Sequence, residues 1–319
     1  MTASIHDVTL VGDSAPMRQL RALVARVAPL RLPVLIEGET GTGKELVATL
    51  LHQQSGRAGS LVAFNVCALG ESMFEDALFG HAKGAYTGAL GESLGFLREA
   101  NGGTAFFDEI SGLPLSLQAK LLRAIETGVF RPIGASRDAR SEFRTVAATN
   151  QRLRELADNG HFRHDLMHRL SGIIVRVPSL AERVDDIPDL ARHFARRASA
   201  GALAVTASAV KVLQETPWPG NVRELKQAVD AAVAFARREL DDRAVEAALA
   251  HRTTGNAPRR VVEELAQRRA LVTVLERASG DTGRAAALLG VHRATVYRRM
   301  KRHGIDARDA GREQPPLNA

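Results

Sequence analysis

The 319-residue sequence predicts an α/β fold: a mainly parallel sheet covered by helices on both faces, then an all-helical unit and a small basic helical module. Three observations predict it. Short apolar runs at 33–37, 61–66, 104–107 and 145–148 alternate with helical or loop segments, the order of a parallel sheet. From about Val184 the β-branched runs disappear, and Ala, Leu and Arg dominate at helical spacing to about Ala250. The charge is segregated: residues 251–319 hold 14 Lys+Arg and 7 Asp+Glu, which is the whole net charge of +7, and 29 of each sign remain in 1–250. That asymmetry is the electrostatic footprint of a nucleic-acid-binding module attached to a neutral body.

After a short lead, 17–27 has helical apolar spacing, with Asp13 or Ser14 available as its cap. The strand at 33–37 ends directly in Gly38-Glu39-Thr40-Gly41-Thr42-Gly43-Lys44-Glu45, and 45–52 continues as a helix. This is the order a phosphate loop needs. Glycines let backbone N–H groups face phosphate oxygens, and the helix adds its partial positive end. Lys44 is placed to neutralise β- and γ-phosphates; the Mg²⁺-binding Ser or Thr of the general pattern is here Glu45.

The strand at 104–107 runs into Asp108-Glu109, two carboxylates at the C-terminal edge where open α/β sheets hold ligands. Asp108 suits Mg²⁺, and Glu109 suits orienting and polarising an attacking water. Asn65, and Thr149-Asn150 after the strand at 145–148, taken alone read as turn or cap residues. Between the phosphate loop and the acidic pair lies Gly84-Ala85-Tyr86-Thr87-Gly88-Ala89. Its terminal glycines permit sharp turns, and its alanines leave Tyr86 and Thr87 as the only sizeable groups to present to another macromolecule.

Residues 253–258 read as a linker, and the tail after 306 is expected to be disordered. Residues 283–301 read as helix, tight glycine turn, helix, with Ala285, Leu288, Leu289, Val291, Val296 and Met300 as a small core. Arg293, Thr295, Arg298, Arg299 and Arg302 then fall on the exposed side of the second helix, ready for phosphates and base edges in a major groove. The single cysteine, Cys67, cannot form an intramolecular disulfide and reads as a small buried hydrophobe. No apolar run is long enough to span a bilayer and no leader pattern is present, so a cytoplasmic protein with no membrane partner is expected.

With these motifs in this order, residues 10–305 resemble the bacterial sigma-54-dependent transcription activators, or enhancer-binding proteins. These are AAA+ P-loop ATPases whose signature loop reads Gly-Ala-Phe-Thr-Gly-Ala, and they share the Gly-Lys-Glu ending of the phosphate loop. The resemblance implies ATP and Mg²⁺ as cofactors, assembly into a homo-oligomeric ring, a hexamer, and two further partners: sigma-54 RNA polymerase holoenzyme, engaged by the Gly84 to Ala89 loop, and enhancer DNA. It implies that Asn65 restrains Glu109, that Thr149 and Asn150 sense the γ-phosphate, and that Arg163 and Arg169 are fingers donated to a neighbouring subunit's nucleotide. Arg223, in Trp218-Pro219-Gly220-Asn221-Val222-Arg223-Glu224-Leu225, would contact the nucleotide in cis at the start of a lid helix.

The implied organisation is an AAA+ α/β subdomain at 1–180, a helical lid at 181–250, a linker at 251–260, a Fis-type helix-turn-helix domain at 261–306 and a tail at 307–319. Helix 261–278 is expected to pair with its copy in another subunit. Because the chain starts almost at the ATPase, control is expected in trans, from a regulatory protein or from expression level. Three departures bear on coupling to the polymerase: Tyr86 for phenylalanine, Ala82 for glutamate and Ala181 for arginine. The rivals are a AAA+ remodeller of another substrate, which the loop argues against, and a DNA-binding repressor with a decayed ATPase. Retention of Lys44, Asp108, Glu109 and Arg223 argues against the second.

Overall fold

In the computed structural model the described residues are 9–252 apart from 67–70, 88, 90 and 237, together with 271, 274–275, 278, 281–289 and 291–303. Contacts divide the chain into two units, Met1–Glu246 and Ala247–Ala319.

In the first unit, α1 (Ala15–Val27) precedes β1 (Val34–Glu37) and α2 (Lys44–Gln53) follows it. Then come β2 (Leu61–Asn65), α3 (Glu71–Phe79), α4 (Phe96–Glu99) and β3 (Thr104–Asp108). After α5 (Leu115–Thr127), the short antiparallel pair β4 (Val129–Phe130) and β5 (Ala139–Arg140) stands apart from the main sheet. The chain returns through β6 (Arg144–Thr149), α6 (Leu153–Asp158), α7 (His164–Leu170) and β7 (Ile173–Arg176). The main sheet has five strands in the order β2-β3-β6-β1-β7, all pairings parallel.

Alternation along these strands builds two cores. Leu35, Ala105, Phe107 and Ala147 face one apolar layer with Leu78 of α3, Leu121 of α5 and Leu166 of α7. Val34, Ile36, Phe106, Val146 and Ala148 face the other, with Met17 and Val24 of α1 and Val47 and Leu51 of α2. Successive side chains of a strand point to opposite faces, so a sheet covered on both sides needs uninterrupted apolar runs. The runs in β1, β3 and β6 have this character, whereas β2, at the sheet edge, buries only Phe64 of its five residues. The sequence runs do not anticipate the two-residue strands β4 and β5 or, in the main sheet, β7, a four-residue edge strand whose Ile174 remains 50% exposed.

One local reading is corrected at the start of α1. Ser14 does not cap the helix through its side chain; its backbone N–H and its hydroxyl both donate to the buried carboxylate of Asp186 (2.8 and 2.6 Å). A Cβ at Gly12 would fall within 3 Å of that carboxylate, which explains a glycine there. At the other end of α1 stands Arg144, which the sequence does not single out. It is buried at the start of β6 and donates to the carbonyls of Ala28 (2.6 Å) and Val27 (3.0 Å). A cation suits the C-terminal end of a helix dipole, although burial lowers its pKa.

From a capping box at Ser179 and Glu182, a 3-10 turn (Leu180–Asp186) leads into four helices, α8 (Ile187–Ala198), α9 (Ala207–Glu215), α10 (Asn221–Phe235) and α11 (Asp242–Arg252). Glu182 therefore has a local duty as well as an ion pair with Arg176 (2.7 Å). α8 packs on α10. Among the described residues no helix is long and apolar enough to cross a membrane.

In the second unit, α12 (Thr282–Leu289) and α13 (Arg293–His303) enclose a core of Leu271, Leu275, Ala278, Ala285, Ala286, Val296 and Met300. Leu288, assigned to this core from its spacing, is instead 61% exposed. The buried face of α12 is set by Ala285 and Ala286 with Leu289 packed on it, and at 3.6 residues per turn Leu288 falls beyond its edge. Cys67, residues 253–258, most of helix 261–278 and the tail at 307–319 lie outside the described residues.

Candidate nucleotide site and nucleic-acid module

The parallel register brings the sequence-predicted groups to one edge. Glu37 pairs with Thr149, and Asn65 with Asp108, at the C-terminal ends of β1, β6, β2 and β3. The loop from Gly38 to Gly43 leaves this edge, its Gly38 N–H donating to Thr149 O (3.2 Å). Gly41 and Gly43 have φ of 80° and 105°, conformations that glycine adopts without a Cβ penalty. The Thr42 hydroxyl closes the loop onto Glu39 O (2.8 Å).

Lys44, only 6% exposed, is the hub. Its ammonium donates to Gly38 O (2.9 Å) and Glu39 O (3.4 Å) and lies 3.2 Å from Glu109 Oε1. The other carboxylate oxygen of Glu109 accepts from Asn150 N–H (3.3 Å), and the Asn150 amide donates to Thr40 Oγ1 (3.0 Å). Loop lysine, acidic pair and β6 terminus are thus one network. Glu109 itself sits at φ 54°, ψ 49°, a left-handed conformation unusual for a non-glycine residue.

Asp108 is pushed up from the usual carboxylate range by burial first and by the negative charge of Glu109 second, with Lys44 opposing. Asn65 Nδ2 donates to Asp108 Oδ2 (3.3 Å), so it reaches the acidic pair through the carboxylate next to the one expected. Glu45 lies in the first turn of α2, where a carboxylate favours the helix dipole, and it also raises Asp108.

Arg223 lies in the first turn of α10, exposed, with its backbone N–H on Gly41 O (3.1 Å). Two residues that the sequence reading passed over join this region. Asn221 is buried at φ 54° and bonds to Glu39, Thr40 and Leu180. Arg183 is buried and donates to Thr42 O (3.1 Å). Neither has a signal in the sequence: the positive φ of Asn221 and the burial of Arg183 exist only in the fold.

Arg163 and Arg169 lie elsewhere, at the start and in the last turn of α7, both exposed. Arg163 forms a two-pronged pair with Asp165 (3.0 and 2.7 Å). The glycine-bounded loop follows α3 in the chain. Its ends are tied by Gly84 N–H to Ala89 O (2.9 Å), and its base by paired bonds between His81 and Ser93. Thr87 is exposed, Ala89 buried and Ala85 half-buried, and Gly88 lies outside the described residues. Tyr86 folds back: its hydroxyl donates to Asp76 Oδ2 (3.1 Å), and its ring meets His81 edge-on at 5.1 Å. His81 Nδ1 holds the other oxygen of Asp76 at 2.5 Å.

In the second unit Arg298 is exposed, Arg299 and Thr295 are half-exposed, and Arg302 lies on the last turn of α13, its side chain outside the described residues. Arg293 is already engaged, donating to Thr282 Oγ1 (3.1 Å) with its guanidinium 5.9 Å from the Tyr297 ring centre. Asp281 caps α12 by accepting from the backbone of Gly283 (2.7 Å) and Arg284 (3.1 Å), which lowers its pKa.

Comparison with known proteins agrees with this geometry. Residues 10–176 match the sigma-54 interaction domain, 181–260 the AAA+ ATPase lid domain, and 264–303 the Fis family of bacterial regulatory proteins. The chain is 35% identical to the DNA-binding transcriptional regulator NtrC of Rhizobium meliloti, over 93% of this chain and 70% of that protein. It is 43% identical to the anaerobic nitric oxide reductase transcription regulator NorR of Aliivibrio fischeri, over 74% of this chain but 47% of that protein. The crystal structure of NtrX from Brucella abortus in complex with ADP superposes with a TM-score of 0.70 at 32% identity, covering 94% of this chain and 70% of that one. A AAA+ P-loop sheet, a helical lid and a Fis-type helix-turn-helix, in that order, place this chain in the family of sigma-54-dependent transcriptional activators.

Proposed function

We propose that the chain hydrolyses ATP as a hexameric ring and uses the turnover to remodel sigma-54 RNA polymerase closed complexes, while its C-terminal module holds enhancer DNA. The observation that carries this reading is the Lys44–Glu109 contact at 3.2 Å, where a phosphate-loop lysine meets the carboxylate suited to activating water. The related NtrX crystallised with ADP and with ATP supports nucleotide as the ligand. In this reading residues 1–180 are the motor, 181–250 the lid, 251–260 the connection and 261–306 the DNA reader.

Placement at one sheet edge supports the following roles. Backbone N–H groups of 38–45 and Lys44 cradle the phosphates, Thr149 and Asn150 report the γ-phosphate to Glu109, and Arg223 contacts the nucleotide from the lid. Asn65 tunes the acidic pair through Asp108. Two adjacent carboxylates of which one is destabilised as an anion fit a hard divalent cation, so Asp108 would hold Mg²⁺, directly or through water. A Mg²⁺ held there would supply charge neutralisation to the phosphates of a bound nucleotide.

Arg163 and Arg169 act on the neighbouring subunit's nucleotide, and Arg169 is the freer of the two because Asp165 holds Arg163. Lys44→Ala and Arg169→Ala proteins are each expected to be inactive. Mixed in one ring they create interfaces with an intact loop and an intact finger, so phosphate release should partly return. Full activity of Arg169→Ala alone would eliminate that residue.

The Gly84 to Ala89 loop contacts sigma-54 through Thr87 and Tyr86. Thr87→Ala should abolish open-complex formation with sigma-54 polymerase and retain most ATP hydrolysis; normal open complexes would sink the loop assignment. Tyr86→Phe removes the bond to Asp76 and should change activation more than hydrolysis, measured in the same assay.

A further inference from the structure

Asn221 opens α10 in a left-handed conformation, φ 54°, which asparagine tolerates better than most residues. It is 1% exposed, and both ends of its carboxamide are occupied. Oδ1 accepts from Leu180 N–H (2.7 Å), at the turn leading from β7 into the lid. Nδ2 donates to Glu39 Oε2 (2.9 Å) and Thr40 O (3.1 Å) in the phosphate loop. One side chain therefore joins three segments distant in sequence.

The backbone around it is fitted just as closely. Arg223 N–H donates to Gly41 O (3.1 Å), and a Cβ at Gly41 would collide with the Gly220 carbonyl. Glu39 is the chemical problem in this arrangement. It is an exposed carboxylate within a loop that must receive a highly charged anion, and the neutral donor on Asn221 fixes where one of its oxygens points.

We infer that Asn221 is a positioning residue of the nucleotide site: its carboxamide turns the Glu39 carboxylate toward the lid and fixes the loop backbone at 39–41 to the start of α10. Nucleotide affinity then depends on the Asn221–Glu39 bond. This rests on the nucleotide-binding reading above.

The test uses the full chain, titrated with a fluorescent ADP analogue, in four forms: parent, Asn221→Asp, Glu39→Gln, and the double variant. Asn221→Asp keeps the volume and the acceptor for Leu180 N–H but sets two carboxylates against each other. Its affinity should fall about tenfold or more, the scale of a lost hydrogen bond to a charged group. In the double variant the carboxamide now at position 39 donates to the carboxylate now at position 221, restoring that bond with its direction reversed, while the donor to Thr40 O remains lost. Affinity should then recover by about threefold or more over Asn221→Asp without reaching the parent, a coupling read in binding by folded protein. Glu39→Gln alone supplies the remaining corner of the cycle, its side chain still offering an acceptor to Asn221.

An Asn221→Asp protein that binds like the parent, or a double variant no better than Asn221→Asp, overturns the inference. Should Asn221→Asp fail to fold, the double variant decides: a folded protein that binds ADP within about tenfold of the parent supports the bond, and one that folds but binds no ADP overturns it. A parent that binds no ADP overturns the nucleotide reading and this one with it, whereas a binding parent with indifferent variants overturns this one alone.

Discussion

Glu109→Gln is expected to bind ATP and hydrolyse it slower by roughly two or more orders of magnitude, which is about 2.7 kcal/mol or more of transition-state stabilisation. The substitution keeps the side-chain length and an oxygen for Asn150 N–H, and it removes the charge that faces Lys44 at 3.2 Å. Binding should survive because the loop carbonyls at Gly38 and Glu39 still hold the Lys44 ammonium. Phosphate release and ATP-analogue titration measured on the same preparation separate the two effects. Near-parental turnover would remove Glu109 from the chemistry.

Removal of residues 259–319 is expected to abolish site-specific DNA binding and to spare ATP hydrolysis. The excess positive charge lies in this part of the sequence, and Met1–Glu246 forms its own contact unit. For the intact chain the logarithm of affinity should fall with the logarithm of salt concentration by about 0.9 per phosphate contacted. Arg298→Ala, at an exposed position of α13, should make that slope shallower by about one contact if it meets phosphate. Arg293→Ala should act differently, because that side chain also ties α13 to Thr282 and so supports the fold of the helical pair. Undiminished specific binding by residues 1–258, read by footprinting, would refute the assignment.

The sheet was legible because parallel strands covered on both faces must be apolar throughout, and Val34 to Ile36, Ala105 to Phe107 and Val146 to Ala148 are. Lys44, Asp108 and Glu109 were legible because the phosphate loop and the acidic strand end fix one edge of that sheet, whereas Asn65 and Asn150 alone read as turn or cap residues and entered only through the family resemblance. What escaped depends on three-dimensional approach. Arg144 reads as one more arginine until α1 delivers its terminal carbonyls, and Ser14 reads as a cap until Asp186, 172 positions away, takes both its donors. Asn221 lay inside a quoted motif, yet its backbone conformation and its bond to Glu39 have no local sequence signature. Leu288 failed for a simpler reason: an apolar residue near a core face need not lie on it.

The left-handed backbone of Glu109 has an evolutionary consequence. Most residues resist that conformation by about 1–2 kcal/mol, whereas glycine does not. Glycine elsewhere costs a protein roughly 0.5–1 kcal/mol through the greater freedom of its unfolded chain. At position 109 these two backbone effects offset each other, so a change to glycine would cost folding chiefly through the buried Lys44 ammonium, which would lose its carboxylate partner at 3.2 Å. Selection for a foldable protein therefore guards this position through one ion pair alone. In a lineage that first exchanged Lys44 for an uncharged residue that guard would be gone, and the carboxylate could follow at little cost to the fold.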